Sequence, residues 1–172
     1  MKSRASQLKP KPGDFALVHV KGGIGTYLSM VELMLGDNHT RYDHALIYIG
    51  GHDCVEAMPY GVVQAPLKAP YHALYGHALW STGRWNLTDI ERSDIVAAAK
   101  SYIGTPYNYF AWITLPTYSW NLPGKNLLPK IMGTHVLMCS QLVAQCYEDA
   151  GVPLFSRWPG YITPADEAAV IG

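Results

Sequence analysis

Apolar residues in the first half of the chain fall in short blocks of four to six, and these alternate with glycine, proline and polar breaks. This is the rhythm of strands and turns rather than of long helices. Pro12-Gly13-Asp14 is a turn signal, and Phe15-Ala-Leu-Val-His-Val20 behind it predicts a first strand. Gly22-Gly23-Ile24-Gly25 breaks that strand, and Thr26 is placed to cap a helix over Tyr27–Leu35. His44-Ala-Leu-Ile-Tyr-Ile49 reads as a strand turning at Gly50-Gly51, with Cys54–Met58 as the returning strand and Gly61–Ala65 as the next. Residues 66–77 read as a loop, and His77–Trp80 as a further strand. From residue 87 the period changes. Thr88 or Asp89 caps a helix expected to run to Ile103, with Gly104-Thr105-Pro106 as its stop. Residues 107–134 form an aromatic and proline-rich excursion, long enough to hold a short helix or one side of a cleft. A second long helix is predicted from Cys139 to Ala150, stopped by Gly151, with Pro153–Pro164 as a terminal loop.

These elements define an α+β chain with a small antiparallel sheet. At 172 residues and 49% hydrophobic it is the size of one domain with an ordinary core. No repeat or linker divides it, so residues 1–11 are expected to be a flexible arm and residues 12–172 a single domain. Lysine plus arginine and aspartate plus glutamate both number 13, which gives no basic surplus and no reason to expect a nucleic-acid partner. The apolar runs are short and broken, so no transmembrane segment is expected. The basic start lacks the apolar stretch of a signal peptide; the expected setting is cytoplasmic or phage-associated, the latter from context rather than from any residue.

Three cysteines make no disulfide framework. Cys146 lies two helical turns beyond Cys139 among core positions, and Cys54 begins a strand, so both read as small buried hydrophobes. Cys139 differs by standing at a predicted helix N-terminus. Free backbone N–H groups and the helix dipole there favour a thiolate, and the same N–H groups can hold an oxyanion. A nucleophile needs a base. Of seven histidines, His44 opens an otherwise apolar strand, where a neutral imidazole needs a defined partner. A hairpin register centred on residue 50 places Glu56 opposite His44 on one face, where a carboxylate can fix the tautomer and support the imidazolium. The plainer reading of that pair is structural. Ser140 competes with Cys139 as a nucleophile in principle, and His135 with His44 as a base. Any metal site built from His135, Cys139 and another histidine lacks the spacing and the clustered carboxylates expected of one.

Several motifs, taken in order, resemble a known family. Tyr42-Asp-His-Ala-Leu-Ile-Tyr-Ile-Gly50, Val55-Glu-Ala57, Gly61-Val62, Gly104-Thr-Pro-Tyr-Asn108 and Cys139-Ser-Gln-Leu-Val143 are similar to those of the circularly permuted NlpC-type papain-like hydrolases, the YiiX-like group. Pro12-Gly13-Asp14 resembles that group's opening turn, so the likeness spans roughly residues 12–150. Histidine before cysteine is the mark of the permutation. The lecithin retinol acyltransferase relatives share that order but place histidine where this chain has Glu56. Two positions depart from the group: Gln141, where an acid often follows the Cys-Ser pair, and Asn108, where aspartate is common.

The resemblance implies a permuted papain-like fold with Cys139 as nucleophile, His44 as base and Glu56 as the residue orienting it. Tyr42, two residues before His44 and hence assigned to its strand face, is a candidate oxyanion donor, and Tyr107 a candidate cleft residue. For both, core packing is the plainer reading. The expected chemistry is cleavage of an amide bond through an acyl-enzyme, with a peptidoglycan peptide as the first expected substrate and no metal or organic cofactor required. The alternatives are a lipid or small-molecule acyl hydrolase or acyltransferase, and a catalytically silent structural or binding domain.

Overall fold

The computed structural model describes residues 9–19, 42–69, 78–109 and 136–172. Within them the chain is α+β, with a five-stranded antiparallel sheet and three α-helices. The strands are β1 (Phe15–Val18), β2 (His44–Gly50), β3 (Asp53–Met58), β4 (Gly61–Pro66) and β5 (Leu79–Trp80), ordered β4-β3-β2-β1-β5 across the sheet. The helices are α1 (Asp89–Ser101), α2 (Cys139–Asp149) and α3 (Pro164–Ile171). The predicted helix at Tyr27–Leu35 and nearly all of the aromatic excursion lie outside the described residues.

Strand alternation sorts the core into two layers. Phe15, Leu17, Ala45, Ile47, Val55, Ala57 and Val62 meet Ile95 and Ala99 of α1 and Leu142, Val143, Cys146 and Tyr147 of α2. Ala16, Val18, Leu46, Cys54 and Ala65 form a second buried cluster on the other face. Burial on both faces explains why β1 and the start of β2 read as continuous apolar runs rather than apolar-polar alternation.

Three sequence expectations need correction. The β2–β3 register is not centred on residue 50: Glu56 stands opposite Leu46, two residues from the expected His44. The reason is the turn, which is carried by Gly51 and His52 (φ 62° and 75°) after an irregularity between Tyr48 and Gly50. A slip of two residues keeps every side chain on its face, so His44 and Glu56 become diagonal rather than direct neighbours. The first long helix ends at Ser101, with Tyr102 as its cap, rather than at Ile103. Finally, the expected terminal loop contains a 3-10 turn at Pro159–Tyr161 and gives way to α3 at Pro164. Thr163 and Asp166 close the start of α3 in a reciprocal capping box, with Pro164 in its first turn.

The segment Gly104–Asn108 is a backbone clamp. Gly104 N–H donates to the Val62 carbonyl at 2.9 Å, and Val62 N–H donates to that of Thr105 at 2.9 Å. Leu137 N–H then donates to the Pro106 carbonyl and Asn108 N–H to that of Leu137, so the same segment fixes the approach to α2. The close passage requires Gly61, whose φ is +117° and whose added Cβ would lie 3.0 Å from the Thr105 oxygen. Gly61→Ala is therefore expected to cost about 2 kcal/mol in chemical denaturation, through strain at a positive φ and displacement of the clamp.

Candidate active site

Cys139 is the first residue of α2, and its N-cap is Met138, whose side chain makes no capping hydrogen bond. The contrast with the other two helices is chemical. Thr88 and Thr163 each close the start of their helix with a capping box, whereas Met138 brings no strong acceptor to the first turn of α2. Leu142 N–H is the first to bond back into the helix, to the Met138 carbonyl. The backbone N–H groups at the Cys139 end thus keep the anion-stabilising character of an uncapped helix start.

His44 opens β2 as Cys139 opens α2, and the ends of the two elements meet. The His44 imidazole hydrogen-bonds to Cys139. Its Nε2 lies 2.7 Å from Glu56 Oε2, and both residues are buried, at 2% and 0% exposure. Burial opposes the imidazolium, but the hydrogen bonds and negative charges of Cys139 and Glu56 outweigh it and raise His44 to about 10. The direction favours the protonated form of the His44 ring beside Cys139 and Glu56.

The other cysteines lack such company. Burial, followed by the charges of Glu56 and Asp53, pushes the Cys54 thiol up, and its Sγ approaches the Ala65 carbonyl at 3.4 Å. Burial and Asp149 push Cys146 up as well. Both are the un-ionised, inert form of the residue. All three cysteines are free thiols.

Ser140, the rival nucleophile, donates its hydroxyl to the Ile162 carbonyl at 2.6 Å and is fully buried. His135, the rival base, lies outside the described residues. Tyr42 lies two residues before the start of β2 and packs half-buried against the main core cluster. Tyr107 is buried, pairs by a parallel bridge with Leu137, and stacks edge-on against Tyr109 with ring centres 5.2 Å apart. It contributes to the backbone clamp before Cys139, with its ring in the core.

The two positions that depart from the resemblance touch each other. Asn108 Nδ2 donates to Gln141 Oε1 at 3.2 Å, and both residues are buried. Two carboxylates there would repel unless they shared a proton, whereas two carboxamides are compatible at any pH. Gln141 Nε2 remains without a hydrogen-bond partner. Sequence reading passed over Glu167, a fully buried acid on α3, its carboxyl held by burial well above the usual carboxylate range. Its spacing from Ile171, four residues on the same buried stripe, is the signal that would have marked it once a helix was assigned there. Asp43, beside His44, pairs with His19 Nδ1 at 2.6 Å.

Among the described residues no helix is long and apolar enough to cross a membrane. No group of three or more potential metal ligands is gathered among them either. No known family model matches the chain, and no curated protein matches it in sequence.

Proposed function

We propose that the protein is a cysteine hydrolase of permuted papain-like fold that cleaves an amide bond, with a peptidoglycan peptide as the substrate class. The observation carrying this reading is Cys139 at an uncapped helix start, hydrogen-bonded to a buried histidine that is itself 2.7 Å from a buried glutamate. The substrate class rests on the resemblance of the motifs around these residues to the NlpC-type group.

In the resting pair the His44 imidazole holds the Sγ proton, and the Cys139 thiolate attacks the carbonyl carbon. The oxyanion is held by the Cys139 N–H at the positive end of α2. The intermediate collapses to a thioester as the departing amine takes the imidazolium proton. Water, deprotonated by His44, then attacks the thioester, and the acid leaves as the thiolate returns beside the imidazolium. Glu56 keeps Nε2 protonated and supports the imidazolium throughout, which is the orienting role in a nucleophile-base-acid set.

The test is alkylation of Cys139 as a function of pH, mapped by mass spectrometry and repeated in His44→Ala. An ordinary thiol, with pKa about 8.5, is almost unreactive at about pH 6. The wild-type protein is expected to react there at least ten times faster than His44→Ala. An alkylation curve that follows an ordinary thiol and ignores the His44 substitution would sink the triad.

A further inference from the structure

Helix α2 opens without the device that fixes the other two helices. Thr88 and Thr163 close the first turns of α1 and α3 through reciprocal capping boxes, whereas Met138 makes no side-chain hydrogen bond to the first turn of α2. Loss of a cap ordinarily loosens a helix end. At Cys139, however, a side-chain cap would be a rival. An acceptor placed on the first-turn N–H groups occupies the donors that a thiolate or an oxyanion needs. A start of this kind is best held from outside the helix.

Asn108 is placed to hold it. Its backbone N–H donates to the Leu137 carbonyl at 3.1 Å, and its side-chain Nδ2 donates to Gln141 Oε1 at 3.2 Å. One residue thus grips the chain two positions before Cys139 and two positions after it. Asn108 is 2% exposed and Gln141 0%, so water does not compete for the contact between them. The gripping segment is itself anchored. The Pro106 carbonyl accepts from Leu137 N–H at 3.0 Å, and Gly104 and Thr105 are each tied to Val62 of β4 at 2.9 Å. Through this segment the sheet reaches both sides of the nucleophile. Two residues of helix turn Gln141 by about 200° from Cys139, so the grip falls away from the sulfur. It uses a carbonyl and a side chain, and draws on none of the first-turn N–H groups.

We propose that Asn108 and Gln141 are positioning residues for Cys139: their carboxamide contact, with the Asn108–Leu137 backbone bond, replaces the missing cap and holds the start of α2 against His44. The inference rests on the cysteine-hydrolase reading and deepens it. A nucleophile displaced by a fraction of an ångström loses both its base and its line of attack, so a brace outside the chemistry governs the rate.

The experiment compares wild type, Asn108→Ala and Asn108→Asp by two readouts. Hydrogen exchange follows the Leu142 amide, whose bond to the Met138 carbonyl closes the first turn of α2. The Arg92 amide, which makes the corresponding bond to Thr88 in α1, is the reference. Alkylation of Cys139 at about pH 6 follows the nucleophile. In Asn108→Ala, Leu142 is expected to exchange at least about tenfold faster relative to Arg92, and alkylation to slow at least about fivefold, towards the rate of His44→Ala. Asn108→Asp is expected to restore both. The introduced carboxyl donates to Gln141 Oε1 when protonated and accepts from Gln141 Nε2, now without a partner, when ionised. A contact that serves stability alone would lower Tm and speed both amides together while alkylation kept its wild-type rate. That result would overturn the proposal, as would an Asn108→Asp protein as impaired as Asn108→Ala. If Asn108→Ala does not fold, the double variant Asn108→Asp, Gln141→Glu decides. Its two carboxyls share a proton at low pH and repel once both ionise, so Leu142 protection and fast alkylation are expected to fall together below wild type as pH rises. Their persistence at wild-type levels would overturn the brace. Failure of the triad appears separately, as alkylation that ignores His44→Ala while Leu142 exchange still answers to Asn108.

Discussion

Cys139→Ala is expected to reduce peptide-amide hydrolysis by on the order of 10⁴-fold or more, because the attacking atom and the acyl-enzyme disappear together. Product release from cell-wall peptides, followed by chromatography, is the direct measurement. Cys139→Ser should fall nearly as far, since a hydroxyl held by an imidazole tuned to a thiolate is a far weaker nucleophile near neutral pH. A second readout does not need a substrate. Two of the influences raising His44 come from Cys139, its hydrogen bond and its charge, and both vanish in Cys139→Ala. Burial then opposes only the support from Glu56, so the His44 ring is expected to titrate at lower pH than the wild-type value of about 10. Histidine NMR titration in the two proteins tests this. Retained hydrolysis in Cys139→Ala, or an unmoved His44, would mean that the contact between helix and strand is packing alone.

The parts of this molecule that could be read from its sequence are those governed by local rules. The strands around His44, Cys54 and Gly61 follow from apolar blocks between turn residues, and α1 and α2 from helical period and end signals. That His44 and Glu56 would share a face also followed from strand parity, although the expected register was wrong by two residues. Parity survives an even slip; cross-strand pairing does not. The actual turn depends on His52 taking a positive φ after two glycines, a conformation the residue type does not announce. Helix α3 was missed for a different reason. Its capping signature lay within a stretch rich in proline and aromatic residues, and composition outweighed the cap. With the helix went Glu167, since an acid in a loop is ordinary and an acid on a buried helical stripe is not. The contact between Asn108 and Gln141 joins residues 33 positions apart and has no local signature at all.

Glu56 carries the second large effect, and its variants separate charge from geometry. In Glu56→Gln a carboxamide oxygen can still accept from His44 Nε2, so the ring orientation survives while the charge is lost. Turnover is expected to fall by about 10²-fold, with His44 titrating lower because one of its supports is gone. In Glu56→Ala the acceptor disappears from a site where Glu56 is 0% and His44 2% exposed. Leaving a buried imidazole without its partner is expected to cost about 3 kcal/mol or more in denaturant unfolding, with turnover near the level of His44→Ala. The pH dependence has a definite sign. A histidine raised in the folded state contributes stability that is complete below its unfolded value near 6.5 and is lost as pH rises through about 10. That contribution shrinks in both variants, so their stability deficit relative to wild type should narrow as pH climbs from 6.5 towards 10. A deficit independent of pH, with the His44 titration unchanged in Glu56→Gln, would show that Glu56 serves the fold and leaves the charge of His44 to Cys139 alone.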